Sequence, residues 1–276
     1  MSIIRFQQDS YTIPDTWNEL TTTQLELIAK IVLSTVYPLQ LLVKLALSFL
    51  GMRLSNRKPV YVNDEQYHYI RHSWRKVYLV NSVQVHEITK CVEFILKDGQ
   101  VASELTKNPY PEIHFRFSRL IGPADSFANL TFGEFIQAEI ERNQFIKTDK
   151  PQHFHRQLAI LWRPTFYQHP DSDPRTPLRM DEVDQRARKV ARLQPYQKRV
   201  IQWYIDGCLQ SLYKQFPGVF STGEGSGTGT VFESFMKMVN LLARNKLVDV
   251  EKIREAYLYD ALFTLQGIIE ENENRK

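Results

Sequence analysis

Amphipathic helical segments, each announced by a capping signal, recur along the chain and restrict it to a mainly α fold. In TTTQLELIAKIVL, Thr21 and Gln24, or Thr23 and Glu26, stand at capping-box spacing, and Leu25, Ile28, Val32 and Val36 follow on one helical face. Pro38 opens a second helix that Gly51 closes, so this stretch predicts a helical hairpin. Asn81 or Ser82 caps a third helix carrying Val83, Ile88, Val92 and Leu96 and stopping near Gly99. Thr131 and Glu134 form another capping box ahead of Phe132, Phe135, Ile136 and Ile140. Pro151 and Pro164 bracket the next helix, and 181–192 and 195–216 predict two more, the second rich in aromatics.

Only a few short strands are expected. Residues 3–13 and PVYVN are candidates, with a helix following Asp64. In IHFRF, Ile113, Phe115 and Phe117 alternate with His114 and Arg116, the period of a half-buried strand. The four prolines of 164–178 predict an irregular excursion.

The run STGEGSGTGT, residues 221–230, holds four of the eleven glycines. No lysine follows any of them, as a phosphate-binding P-loop requires. Thr228 stands where a dinucleotide fingerprint needs its third glycine, and Glu224 and Thr228 flank Ser226 where a nucleophile elbow needs two. A flexible linker is the remaining reading. The chain therefore divides into a multi-helix body (1–220, with a sub-boundary near 98–111), a Gly-rich linker (221–230) and a C-terminal helical pair (231–276). In the last helix, which Asp249 can cap, Ile253, Tyr257, Ala261, Leu265 and Ile268 form one stripe.

A net charge of +4 falls short of the concentrated positive field of most nucleic-acid binders. Cys91 and Cys208 are too few for a disulfide framework or a cysteine zinc site, and predict reduced thiols in a cytoplasmic protein. The start, MSIIRFQQDSYTIP, has none of the features of a secretory signal. The most apolar stretch, 27–51, is interrupted by Lys30, Pro38, Gln40 and Lys44, so core helices are expected there and no membrane association.

His153 and His155, with His169, Asp171 and Asp173 downstream, are the best candidates for a metal-dependent hydrolase. On a helix, however, positions i and i+2 diverge. His68 and His72 could face one ion from a helix, but Tyr69 replaces the glutamate of H-E-x-x-H. Glu134, Glu139 and Glu141 read as a solvated helix face. No catalytic residue, metal or cofactor is therefore assigned.

Residues 175–199 hold eight basic side chains against three acidic ones, a local charge of +5. They make a nucleic-acid-binding packaging or regulatory factor the alternative function, using Arg186, Arg188, Lys189, Arg192, Lys198 and Arg199. Residues 249–276 carry the opposite bias, −3, and could dock on the chain's own body or on a partner.

Three phrases together resemble the tail assembly chaperone-like proteins of tailed phages and prophages, whose genes neighbour that of the tape-measure protein. They are IPDTWNELTTTQLELIAKIVL, FANLTFGEFIQAE followed by LAILWRP, and WYIDGCLQSLYKQFPGVF leading into the glycine run. The resemblance implies a non-catalytic helper in the bacterial cytoplasm that binds the aggregation-prone tape-measure protein through apolar helix faces. Ile253, Tyr257, Leu265, Trp203 and Tyr204 are the expected contact residues, and self-association is a second use for such faces.

Overall fold

Eleven α-helices and ten short strands make the protein mainly α among the residues that the computed structural model describes: 2–6, 9–35, 37–63, 65–72, 76–97, 99–165, 173–221, 231–243 and 247–274. They form two compact units, residues 1–105 with 195–206, and residues 106–194 with 207–276. This grouping differs from the body, linker and tail read from the sequence. The glycines of the expected linker lie outside the described residues.

The first unit begins with a hairpin, β1 (Ser2–Phe6) and β2 (Asp9–Ile13), then α1 (Thr22–Ser34) and α2 (Pro38–Phe49). Of the two boxes offered by the sequence, Thr21 and Gln24 cap α1 reciprocally. Next come β3 (Arg53–Leu54), β4 (Val60–Val62), β5 (Glu65–Arg71) and β6 (Val77–Asn81). All are antiparallel, with β5 between β6 on one side and β3 and β4 on the other. Asn81 and Gln84 cap α3 (Ser82–Lys90), and β7 (Leu96–Lys97) and β8 (Gln100–Val101) form a small hairpin. Ile70 and Val80, on one face of the sheet, are fully buried. Ile70 lines a small, wholly apolar cavity with Val43 and Leu47 of α2 and Val85 and Ile88 of α3.

The second unit opens with a hairpin, β9 (Glu112–Phe115) and β10 (Ser118–Ile121), followed by α4 (Phe132–Thr148), α5 (Pro151–Leu161) and α6 (Val183–Val190). Of α7 (Pro195–Gln215), residues 195–206 belong to the first unit and 207–215 to the second. α8 (Pro217–Ser221), α9 (Val231–Leu242), α10 (Leu247–Glu255) and α11 (Leu258–Asn274) complete the second unit. α4 is its central element, packing against α5, α9, α10 and α11. Phe135 meets Phe235 edge-on at 5.8 Å, and Phe216 meets Phe263 in the same way at 4.9 Å.

Three sequence expectations need correction. The segment after Asp64 is the strand β5, not a helix: Tyr67, Tyr69 and Ile70 suit a pleated surface, and ladders on both sides use its backbone groups. α3 stops at Lys90, and a 3₁₀ turn at 93–95 intervenes before Leu96 enters a strand. Beyond the glycine run the described residues form three helices rather than a pair. The long terminal helix breaks because Leu258 N–H donates to Leu130 O (2.8 Å) and Phe132 N–H donates to Ala256 O (2.9 Å), diverting backbone groups that a continuous helix needs. Gly133 permits this approach: a Cβ there would lie 2.9 Å from the carbonyl oxygen of Arg254.

Candidate functional site

The acidic residues of α4 are turned inward, contrary to the solvated face expected: Glu134, Glu139 and Glu141 are 7%, 4% and 9% exposed. Burying a carboxylate is costly unless cations and donors surround it, and each of the three meets that condition differently.

Glu134 caps the start of α4 and is also the hub of a buried ion cluster. Its Oε1 lies 2.6 Å from Arg163 Nη2, and its Oε2 lies 3.2 Å from Arg175 Nη2. Asp173 completes the cluster, accepting from Arg175 Nε (2.9 Å) and Nη2 (2.5 Å). Arg175 also donates to the carbonyls of Leu161 and Asn129. Pro164 explains the placement of Arg163: a residue before proline is pushed out of helical backbone, so the chain leaves α5 extended. It pairs there with Ile121 through two backbone hydrogen bonds of 2.6 and 2.9 Å. The guanidinium is 1% exposed, and its Nε and Nη1 have no hydrogen-bond partner. Burial, with Arg175 beside it, lowers the pKa of Arg163 below the usual arginine value.

Glu141 anchors a second network. It lies 2.8 Å from His153 Nδ1 and 2.6 Å from Arg156 Nε, and Arg156 reaches on to Asp184. The hydrogen bond from Arg156 to Glu141 raises the arginine's pKa. Glu139 pairs at 3.8 Å with Arg142. His153 thus serves a carboxylate on the neighbouring helix, while His169 and Asp171 lie outside the described residues. Among the described residues, no group of three or more His, Cys, Asp or Glu side chains is placed to hold a metal ion. His68 lies on β5 and His72 just beyond it, about 13 Å apart at strand rise rather than one helical turn.

The proposed nucleic-acid residues fall in both units. Arg186 is 3% exposed and is held by Ala159 O (3.0 Å), Glu182 (2.7 Å) and Arg179 O (3.2 Å). Arg188 and Arg192 are exposed and Lys189 is half-buried, all in the second unit. Lys198 and Arg199, both half-buried, belong to the first unit, where burial lowers the pKa of Lys198 and Arg199 reaches Gln202. Of the expected partner contacts, Trp203 and Tyr204 are core residues of the first unit. Trp203 packs edge-on against Trp17 at 5.4 Å. Leu265 is buried in the second unit, Ile253 is half-buried, and Tyr257 is 54% exposed.

The outer face of the β3–β6 sheet was missed. Cross-strand register places Arg53, Arg71 and Val77 in one row, Tyr69 beside Leu79 in the next, then Val60, Tyr67 and Asn81, and finally Val62 beside Glu65. Paired residues share a face, so all of these lie opposite Ile70 and Val80. Val60, Val62, Val77 and Leu79 are 37–48% exposed, so this face presents aliphatic side chains to solvent between Arg53 and Arg71 at one end and Glu65 at the other. The sequence carries part of the signal, since in VYV of β4 and VYLV of β6 both alternating sets are apolar or aromatic, but Glu65, Gln66, His68 and Arg71 interrupt the pattern in β5.

No family model, curated protein or solved structure matches the chain.

Proposed function

We propose that this chain is a non-catalytic assembly protein of tailed phages or prophages, a chaperone that binds the tape-measure protein. The observation that carries this reading is the aliphatic patch on the outer face of β3–β6, since Val60, Val62, Val77 and Leu79 left in water beside the half-buried Tyr67 and Tyr69 mark a surface awaiting a partner. The three sequence phrases quoted above support the class of partner. The buried acids and bases support it too: Glu134, Glu141, Arg163, Arg175 and Arg186 are engaged with one another or with backbone carbonyls, as groups that hold a scaffold together are. Binding takes place on the sheet and on the exposed Tyr257, while Trp203, Tyr204 and Leu265 are buried and serve the core.

Co-expression with the neighbouring tape-measure protein tests this. The expected outcome is that the partner stays soluble with the full chain and precipitates without it. Precipitation in both cases would remove the assignment.

A further inference from the structure

Resting on the partner-binding role proposed above, we infer that the outer face of β3–β6 docks an apolar segment of the partner whose carboxylates pair with Arg53 and Arg71. These two arginines are directly opposed in the β3–β5 register and project from the same face. Like charges in that position repel and destabilise a sheet. Neither has an ion-pair partner among the described residues, and the buried Nε of Arg71 has no hydrogen-bond acceptor. An uncompensated pair of guanidinium groups at one end of an exposed apolar face is a site for an anion, since a carboxylate removes the repulsion and takes up the orphaned donor.

What lies beside the arginines decides which anion. The next rows are Tyr69 with Leu79 and Val60 with Tyr67, so the bound molecule must be apolar directly after its charged end. A polynucleotide would need open rings to stack on and cations throughout. The Tyr69 ring instead carries the Arg57 guanidinium 5.5 Å from its centroid. The Tyr67 hydroxyl donates to Glu65 (3.2 Å), whose carboxylate stands at the far end of the same face and would repel phosphates. Cations at one end, aliphatic and aromatic side chains in the middle and a carboxylate at the other end fit an amphipathic protein segment with its acidic end over Arg53 and Arg71.

The test uses the full chain and three fluorescent probes: an amphipathic peptide of about 20 residues with leucine on one face, neutral polar residues on the other and glutamates grouped at one end, its lysine-for-glutamate twin, and oligo(dT) of similar length. Binding is read by anisotropy. The glutamate peptide is expected to bind, and to lose at least about tenfold in affinity with Arg53→Glu and with Val62→Ser/Leu79→Ser. All three substitutions are at exposed positions, and circular dichroism checks that the fold is kept. The inference is overturned if the glutamate peptide does not bind, if the lysine peptide binds as tightly, if either variant binds like the parent, or if oligo(dT) binds and competes for this face. Its failure is separable from that of the chaperone reading. Tape-measure solubilisation without peptide binding removes only the docking surface, whereas peptide binding without solubilisation removes only the partner's identity.

Discussion

Glu134 Oε1 and Arg163 Nη2 are 2.6 Å apart, with both side chains withdrawn from solvent, and this contact ties the first turn of α4 to the chain leaving α5. Breaking a buried pair from one side costs about 3–5 kcal/mol, because the remaining ion is left without compensation. Glu134→Gln preserves shape and removes the charge facing both Arg163 and Arg175. Urea denaturation should show a loss of that size. Arg163→Met made in the Glu134→Gln background should then cost much less than in the parent, since the attraction is already gone. Equal costs in the two backgrounds would mean that the pair contributes no coupling.

The start of α4 offers a smaller and separable effect. Thr131 Oγ1 accepts from the Glu134 N–H at 3.2 Å, satisfying one of the helix's orphan donors. Thr131→Ala should destabilise by about 1 kcal/mol, and Thr131→Ser should stay near the parent because the hydroxyl is kept. Thermal melts of the three proteins check the order.

These two contacts also mark how far the sequence could be read. The capping boxes at Thr21, Asn81 and Thr131 join residues three apart, so spacing alone reveals them. Arg175 and Glu134 are 41 positions apart, and no local pattern announces that α4 turns its acids toward arginines from beyond α5. The break between α10 and α11 has the same cause: the stripe from Ile253 to Ile268 is continuous in sequence, and the distant backbone of Leu130 and Phe132 interrupts it. After Asp64 the sequence predicts a helix, on which His68 and His72 would share a face. The strand identity of this segment depends on three partners that periodicity cannot show. The apolar stretches of β4 and β6 are visible in the sequence, but which of their residues share the outer face with Arg53 and Arg71 follows only from the register.

Cys91 gives a prediction in pH. Burial pushes its thiol up to about 11, with Glu93 adding to the effect, and its Sγ–H donates to Ile88 O. The thiolate is the reactive form. At pH 8 the folded chain should alkylate at Cys91 roughly a hundredfold more slowly than a free cysteine thiol, and the rate should climb until the pH passes about 11. Peptide mapping after timed iodoacetamide treatment, with and without urea, measures this. Reaction as fast in the folded as in the unfolded chain would contradict it.

The same substitution at two helical glycines should have opposite signs. At Gly133, in the first turn of α4, an added methyl would lie 2.9 Å from the Arg254 carbonyl oxygen and 3.1 Å from its Cβ. That oxygen is backbone at the end of α10 and cannot swing aside, so Gly133→Ala must push the two helices apart at a cost of about 1–3 kcal/mol. At Gly267, within α11, a methyl would meet nothing within 4 Å. Alanine there restricts the unfolded chain and favours the helix, so Gly267→Ala should stabilise by up to about 1 kcal/mol. Parallel urea titrations should place the Gly133→Ala midpoint below the parent and the Gly267→Ala midpoint above it. A Gly133→Ala midpoint at or above the parent would show that the close approach of α10 to α4 is not a constraint on folding.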